Sequence, residues 1–344
     1  MSSSEMEDHR QGRPANQPAS AGLLGIHHVT AIAGDPQQNL EFYTRILGLR
    51  LVKETVNYDD PGTYHLYFGD ELGHPGTILT FFPWPGAPRG RQGIGQVTIV
   101  SFSVPPESLA FWDDRLRGHG ITVQRSESSF GEPILEFADP DGLPLELVAD
   151  ARANLGHPWA GAGVPAAPAI RGFHSVALLE REDAGTDALL IGVLGFRLAD
   201  FAGRRRRYVV GDGGLATWVD VVSGRGAPSG HVAVGTVHHV AWRTPDEEAQ
   251  QGWRQKIIAE GLGVTPVRDR RYFRSIYFRE PGGVLFEIAT DPPGFTVDES
   301  PEALGSGLRL PPWLEPQRQA IEARLPMLRL PHVDPGREAF PHAP

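Results

Sequence analysis

The sequence predicts an α+β protein in which four βαβββ units pair into two curved-sheet barrels. Three observations lead there. One strand opening recurs four times along the chain, and a segment of helical period follows each copy. Two copies also close on a Pro–Gly turn that leads into a strand with a carboxylate at the same offset. The units span roughly 26–84, 96–150, 172–222 and 237–290.

The first unit opens with Gly25-Ile26-His27-His28-Val29-Thr30, stays apolar to Ala33 and turns at Gly34-Asp35-Pro36. Asn39 to Leu49 then has the spacing of a helix, and Gly48 supplies its stop. The second unit opens at Gly95-Gln96-Val97-Thr98, with a helix pattern over Ser108 to Gly120 and a closing strand from Asp139 to Leu147. The third opens at Gly172-Phe173-His174-Ser175, with a helix pattern over Ala188 to Phe196. The fourth opens at Val237-His238-His239-Val240, continues in a helix over Glu247 to Gly261 and closes from Glu280 to Ile288. This divides the chain into a disordered leader (1–22), an N-terminal half (23–160), a linker (161–171), a C-terminal half (172–290) and a tail packing on the core (291–344). A helix is expected in the tail around Gln317 to Leu325.

Composition narrows the chemistry. A formal net charge of -10 argues against non-specific nucleic-acid binding, which needs a basic face. The run Arg204 to Arg207 reads as a solvated hairpin or strand end. No apolar run approaches the roughly 20 residues that span a bilayer. Met1 to Ala21 lacks the apolar stretch of a signal peptide, so a cytoplasmic location follows by default. The chain has no cysteine, which removes disulfides, thiolate zinc sites and cysteine nucleophiles. A metal would have to be held by histidine and carboxylate, which suits iron, manganese, zinc or nickel.

The repeat supplies such a set. Side chains alternate faces along a strand, so each tandem histidine pair is expected to send one ring to each side. His28 stands seven residues before Asp35 and His239 seven before Asp246, so the second histidine of each pair is the equivalent one. With Glu287 from the last strand, His28 and His239 make a two-histidine, one-carboxylate set of the kind used by non-haem Fe(II) oxygenases. Glu146 shares the strand position of Glu287, but its unit offers no imidazole, and His174 has only Asp220 as a candidate neighbour. The second and third units therefore read as a structural pair without a site. His65, His74, His119, His157 and His231 read as surface or structural residues in turns and loops.

The openings GIHHVTAIAGD and TVHHVAWRTPD, the helix NLEFYTRILGL and the closing EPGGVLFEIATDPPGF resemble the vicinal oxygen chelate superfamily, which includes glyoxalase. Within it, the segment from Asp269 to Asp291 is similar to ring-cleaving dioxygenases that act on hydroquinones. The resemblance covers roughly residues 23 to 330. It implies the glyoxalase/dioxygenase fold, with the first unit paired to the fourth. It also implies Fe(II), with Mn(II) as an alternative, on His28, His239 and Glu287. By position, His27, Thr30, His238, Arg270 and Tyr277 fall around the open metal face. Glyoxalase-type enzymes carry a fourth ligand, a glutamate, where Thr80 stands here, and its lack favours oxygenase over isomerase chemistry.

The implied activity is an extradiol-type ring-cleaving dioxygenase. Its partners are O2 and a small aromatic diol, a substituted hydroquinone foremost, and homo-oligomer formation is left open. His238 or Tyr277 would move a proton and Arg270 would stabilise phenolate charge. Other readings stand beside these. Arg270 could pair with Asp269 or Glu280, Tyr277 could be a core aromatic, and Phe81, Trp242 and Phe286 could line the pocket or the core. The whole chain could instead be a glyoxalase-like isomerase or lyase, or a non-catalytic protein that binds an aromatic or antibiotic molecule.

Overall fold

The computed structural model describes residues 22–330. The leader expected over 1–22 thus lies outside the described residues except for Gly22, and the tail is described as far as Leu330. The first unit consists of β1 (Ile26–Ala33), α1 (Pro36–Glu41), β2 (Arg50–Asn57), β3 (Asp60–Gly69) and β4 (Ile78–Pro83). The second has β5 (Gln96–Val104), α2 (Leu109–Gly118), β6 (Gln124–Glu127), β7 (Pro133–Ala138) and β8 (Pro144–Ala149). The third has β9 (Phe173–Glu180), α3 (Ala184–Gly192), β10 (Arg197–Ala202), β11 (Arg205–Val209) and β12 (Trp218–Ser223). The fourth has β13 (Thr236–Thr244), α4 (Glu247–Ala259), β14 (Arg268–Asp269), β15 (Arg274–Arg279) and β16 (Leu285–Thr290).

Matching turn residues start two of the helices. Asp35 accepts a hydrogen bond from the Gln38 amide and Asp246 from the Ala249 amide, both at 2.8 Å. The helix expected over 39–49 begins earlier, because Pro36 suits a first turn. It ends in a π-helical turn, Phe42–Ile46, before Gly48 at φ 67°. Helix α3 also starts a turn early. Its first residues are mostly exposed and leave no apolar period to read, while Val193 to Phe196 form the bend into β10.

The strands form two curved eight-stranded sheets, ordered β14-β15-β16-β13-β1-β4-β3-β2 and β10-β11-β12-β9-β5-β8-β7-β6. The first unit therefore joins the fourth, and the second joins the third, through the antiparallel seams β1–β13 and β5–β9. Bulges interrupt the first seam at two places. Ile26 faces Trp242 and His28 faces Ala241, which makes His27 the extra residue. Thr30 faces His239 and Ala31 faces Val237, which makes His238 the extra residue. A bulge re-aims its side chain, so the simple face alternation expected of the histidine pairs does not hold there.

One face of the first sheet packs into the main core. Ile26, Val29, Val240 and Ile288 meet Leu40, Trp253 and Ile257 from the helices. Each such side chain contributes about 1.5–3 kcal/mol on full burial, which fixes the register of the sheet against its helices. Phe81, Trp242 and Phe286 belong to this core and do not line the site. The opposite face is left to His28, Thr30 and Glu287, with a smaller apolar cluster that includes Tyr67, Tyr272, Phe273 and Phe295.

After β16 the chain laces one end of this sheet to the other. The Gly294 amide bonds the Tyr272 carbonyl at 2.9 Å, near β14 and β15. On β2, buried Lys53 meets Asp298 at 2.6 Å and also Glu299. Arg50 donates to the carbonyls of Pro301 and Glu302 at 2.7 and 3.1 Å, and the Arg309 amide bonds the Glu54 carbonyl at 2.9 Å. A short helix α5 (Arg318–Glu322) lies within the range expected to be helical.

The second sheet corrects one expectation. Arg207 is not on a solvated strand end but buried, bound to Asp220 at 2.8 and 3.0 Å and to Glu132 at 2.7 Å. His174 meets Glu132 at 3.0 Å. Ser175 holds the register position of His28, and Ile99 that of His239. A serine and an isoleucine thus stand where the first sheet has His28 and His239, and the buried polar groups of the second sheet are taken up in internal ion pairs. Among the described residues, no helix is long and apolar enough to cross a membrane.

Candidate metal centre

His28 comes from β1, His239 from β13 and Glu287 from β16, three neighbouring strands at the middle of the first sheet. All three side chains are buried, and one ligand atom from each lies within 4.8 Å of the others. His239 Nε2 is 2.9 Å from Glu287 Oε2, His28 Nε2 is 3.4 Å from the same oxygen, and the two Nε2 atoms are 3.3 Å apart. Oε1 of Glu287 accepts a hydrogen bond from the Ser275 hydroxyl. Oε2 lies close to both rings, yet no donor is aligned on it as a hydrogen bond.

The electrostatics suit a cation. Burial opposes the charge of Glu287, but the adjacent His28 and His239 rings outweigh it and hold the carboxyl well below its ordinary range. Burial also pushes His239 down, which favours the neutral ring that a metal needs. His27 Nδ1 is 2.9 Å from His28 Nδ1, and His238 Nδ1 is 2.7 Å from His239 Nδ1. For both Nε2 lone pairs to point at one ion, His28 and His239 must each carry their proton on Nδ1 and donate it to the neighbouring histidine. The bulges make this possible, because they bring the extra histidine to the side of its partner. An ionised, buried carboxylate oxygen without a donor, facing two imidazole nitrogens, fits a divalent metal. Thr80, opposite Thr30 on β4, offers a hydroxyl and no carboxylate. Three such protein ligands would leave coordination positions free.

The other expected residues surround this cluster. Thr30 stands two residues beyond His28 on β1 and opposite His239. Tyr277 on β15 faces Glu287, and its ring centroid is 5.7 Å from that of His239. Arg270 donates from Nε to the Tyr277 oxygen at 3.1 Å and from Nη2 to Asp59 at 2.8 Å. Neither Asp269 nor Glu280 is its partner. Asp269 pairs with Arg274, and Glu280 accepts from Thr186 and from turn amides. Burial pushes the Tyr277 phenol up, so it stays protonated at neutral pH.

Sequence reasoning missed His65 and Tyr67. Both lie on β3: Tyr67 is paired with Thr80, His65 is hydrogen-bonded to it, and the two rings are tilted against each other with centroids 4.0 Å apart. The alternation Tyr64-His65-Leu66-Tyr67-Phe68 carries the signal, since Leu66 and Phe68 enter the core and leave His65 and Tyr67 to the other face.

Comparison with known proteins agrees with this arrangement. The model of the Glyoxalase/Bleomycin resistance protein/Dioxygenase superfamily matches residues 25–147 and 190–288. The chain belongs to this superfamily. It is 48% identical over 305 residues to the Bacillus subtilis (strain 168) protein named "Putative ring-cleaving dioxygenase MhqO", covering 88% of this chain and 96% of that one. It is 39% identical over 299 residues to the chlorohydroquinone/hydroquinone 1,2-dioxygenase of Sphingobium indicum, covering 85% and 92%. A crystal structure described as a "putative dioxygenase" from Bacillus subtilis superposes with a TM-score of 0.87 at 46% identity, covering 91% of this chain and all of that one. The superfamily fold accounts for the two half-barrels and for the pairing of the first unit with the fourth.

Proposed function

We propose that this chain is an Fe(II)-dependent, extradiol-type ring-cleaving dioxygenase that inserts O2 into an aromatic diol, with substituted hydroquinones as the preferred class. The buried His28–His239–Glu287 cluster, with Thr80 in place of a fourth carboxylate, carries the reading. The Sphingobium relative, whose name specifies hydroquinone substrates, supports the substrate class.

His28, His239 and Glu287 hold the metal, and His27 and His238 orient the two imidazoles from behind. When bound, Fe(II) supplies Lewis acidity toward a phenol oxygen and a path for electrons to O2. Arg270 places a permanent positive charge beside the site and favours the ionised form of the diol. Arg270 Nε donates to the Tyr277 oxygen, so the phenol keeps its own hydrogen to donate, to a substrate oxygen in place of Ser275. Burial and the neighbouring His239 push His238 down to about 3, so it works as a neutral ring. The absence of a carboxylate at Thr80 favours oxygenase chemistry over a glyoxalase-like isomerisation, since substrate and O2 both need a place.

The test is anaerobic loading with Fe(II), followed by oxygen-electrode assays across hydroquinones and catechols. Uptake of one O2 per ring opened, fastest with a hydroquinone, is the expected result. Absence of uptake with every diol would rule the function out.

A further inference from the structure

Four side chains form a single file of hydrogen bonds along the face that carries His28. Tyr67 Oη is 2.8 Å from His65 Nδ1, His65 Nε2 is 2.8 Å from Thr80 Oγ1, and Thr80 Oγ1 is 2.9 Å from Thr30 Oγ1. The strand register runs the same way. Tyr67 faces Thr80, Thr80 faces Thr30 and Thr30 faces His239. The file starts near the outer strands of the sheet and ends beside a candidate metal ligand.

Counting hydrogens fixes its direction. Burial lowers His65 well below its usual range, so the ring is neutral and carries one N–H. The Tyr67 hydroxyl is buried, and His65 is its one hydrogen-bond partner among the described residues. If His65 donated from Nδ1, the phenol proton of Tyr67 would be stranded in an apolar cluster, at the full desolvation cost of an unmade bond. Tyr67 therefore donates to Nδ1, which places the imidazole proton on Nε2 and directs it to Thr80. Thr30 Oγ1 is then the one acceptor left for the Thr80 hydrogen among the described hydrogen bonds, so Thr80 donates to Thr30 when a ligand oxygen takes the Thr30 hydrogen. The hydrogen of Thr30 has no further acceptor among the described hydrogen bonds, and its side chain shares a strand face with His28, two residues away.

We propose that Tyr67, His65 and Thr80 are positioning residues that fix Thr30 as a hydrogen-bond donor aimed at an oxygen atom of the ligand held next to His28 and His239. The relay rests on the reading that substrate or O2 binds at that cluster. It gives the site a defined polarity, because a reversed file would turn Thr30 into an acceptor and repel the lone pairs of a bound oxygen. No proton is lost or gained along the file, which sets orientation only.

Two measurements decide it. In the metal-free full-length protein labelled with nitrogen-15 histidine, the His65 signals are assigned by their loss in His65→Gln, and long-range proton–nitrogen correlations report which nitrogen is protonated. The expected tautomer is Nε2–H, and an Nδ1–H tautomer or a charged ring overturns the proposal. In Fe(II)-loaded enzyme, Thr80→Ser keeps the link and Thr80→Val, nearly the same shape, breaks it. Thr80→Val is expected to lower kcat at least about tenfold with iron content unchanged, while Thr80→Ser stays within about twofold of wild type. Equal effects of the two substitutions, or none, overturn it. If wild-type enzyme turns over no diol, the functional reading fails and the His65 tautomer alone decides the relay.

Discussion

Arg270 Nη2 lies 2.8 Å from Asp59 Oδ2, and this contact joins opposite ends of the eight-stranded sheet across the candidate metal centre. Arg270 belongs to the loop between β14 and β15, and Asp59 to the hairpin between β2 and β3. Arg270 also bonds Tyr277, which faces Glu287. The arginine thus ties the rim of the half-barrel to its interior.

This arrangement separates the effects of two substitutions. Asp59 is largely exposed, so Asp59→Asn should change stability by less than about 1 kcal/mol and lower kcat/KM by less than about tenfold. Arg270→Ala removes the charge beside the proposed diol site and the bond to Tyr277, and should lower kcat/KM about a hundredfold or more. Arg270→Lys should recover little, since one ammonium cannot serve both partners in the same geometry. Steady-state kinetics on the iron-loaded variants, with denaturant melts alongside, distinguishes these outcomes.

A second prediction concerns the strap after β16. Lys53 is fully buried between Asp298 and Glu299. Lys53→Met would leave the buried carboxylate of Glu299 facing an apolar chain, with only the partly exposed Arg309 nearby at 3.2 Å. The expected loss is about 3–5 kcal/mol in urea unfolding. The double variant Lys53→Met with Glu299→Gln should recover much of that loss, because no buried charge then lacks its partner.

Stability should also fall as pH rises from about 5 to about 8. Burial, with the charge of adjacent Glu280, raises the Glu180 carboxyl to about 8 from an ordinary value near 4.5. Between those two values the unfolded chain has released a proton that the folded chain keeps. Folding therefore loses free energy through that window, at up to about 1.4 kcal/mol per pH unit, and the loss levels off above about pH 8. Melting temperature measured from about pH 5 to pH 9 should show this slope in the wild type. Glu180→Gln should flatten it and be the more stable protein at the alkaline end. An unchanged slope in the variant would assign the effect to other groups.

The four units were legible because each carries its own turn chemistry and apolar period, both local signals. The same register singled out His28 and His239, and the structure brings them together with Glu287. What escaped reading depends on pairing between distant segments. The bulges at His27 and His238 arise only when β1 meets β13, so a rule of strict alternation could not foresee that both rings of each pair would meet. Arg270 and Asp59 are 211 positions apart and share no local pattern. Arg207 looked like a surface charge because its partners, Glu132 and Asp220, lie on other strands or loops of the second sheet. His65 was within reach, since the apolar residues on either side of it already defined a strand with one free face.

Glu287 is proposed to complete a three-residue metal site with His28 and His239. This is tested most directly by iron stoichiometry after anaerobic Fe(II) loading and removal of excess metal, in wild type and Glu287→Gln. Glutamine keeps the size of the side chain and a bond to Ser275, but it removes the anionic ligand. About one iron per wild-type chain is expected, with affinity at least about a hundredfold weaker in the variant and folding intact. A variant that still binds one iron per chain with wild-type affinity would contradict it.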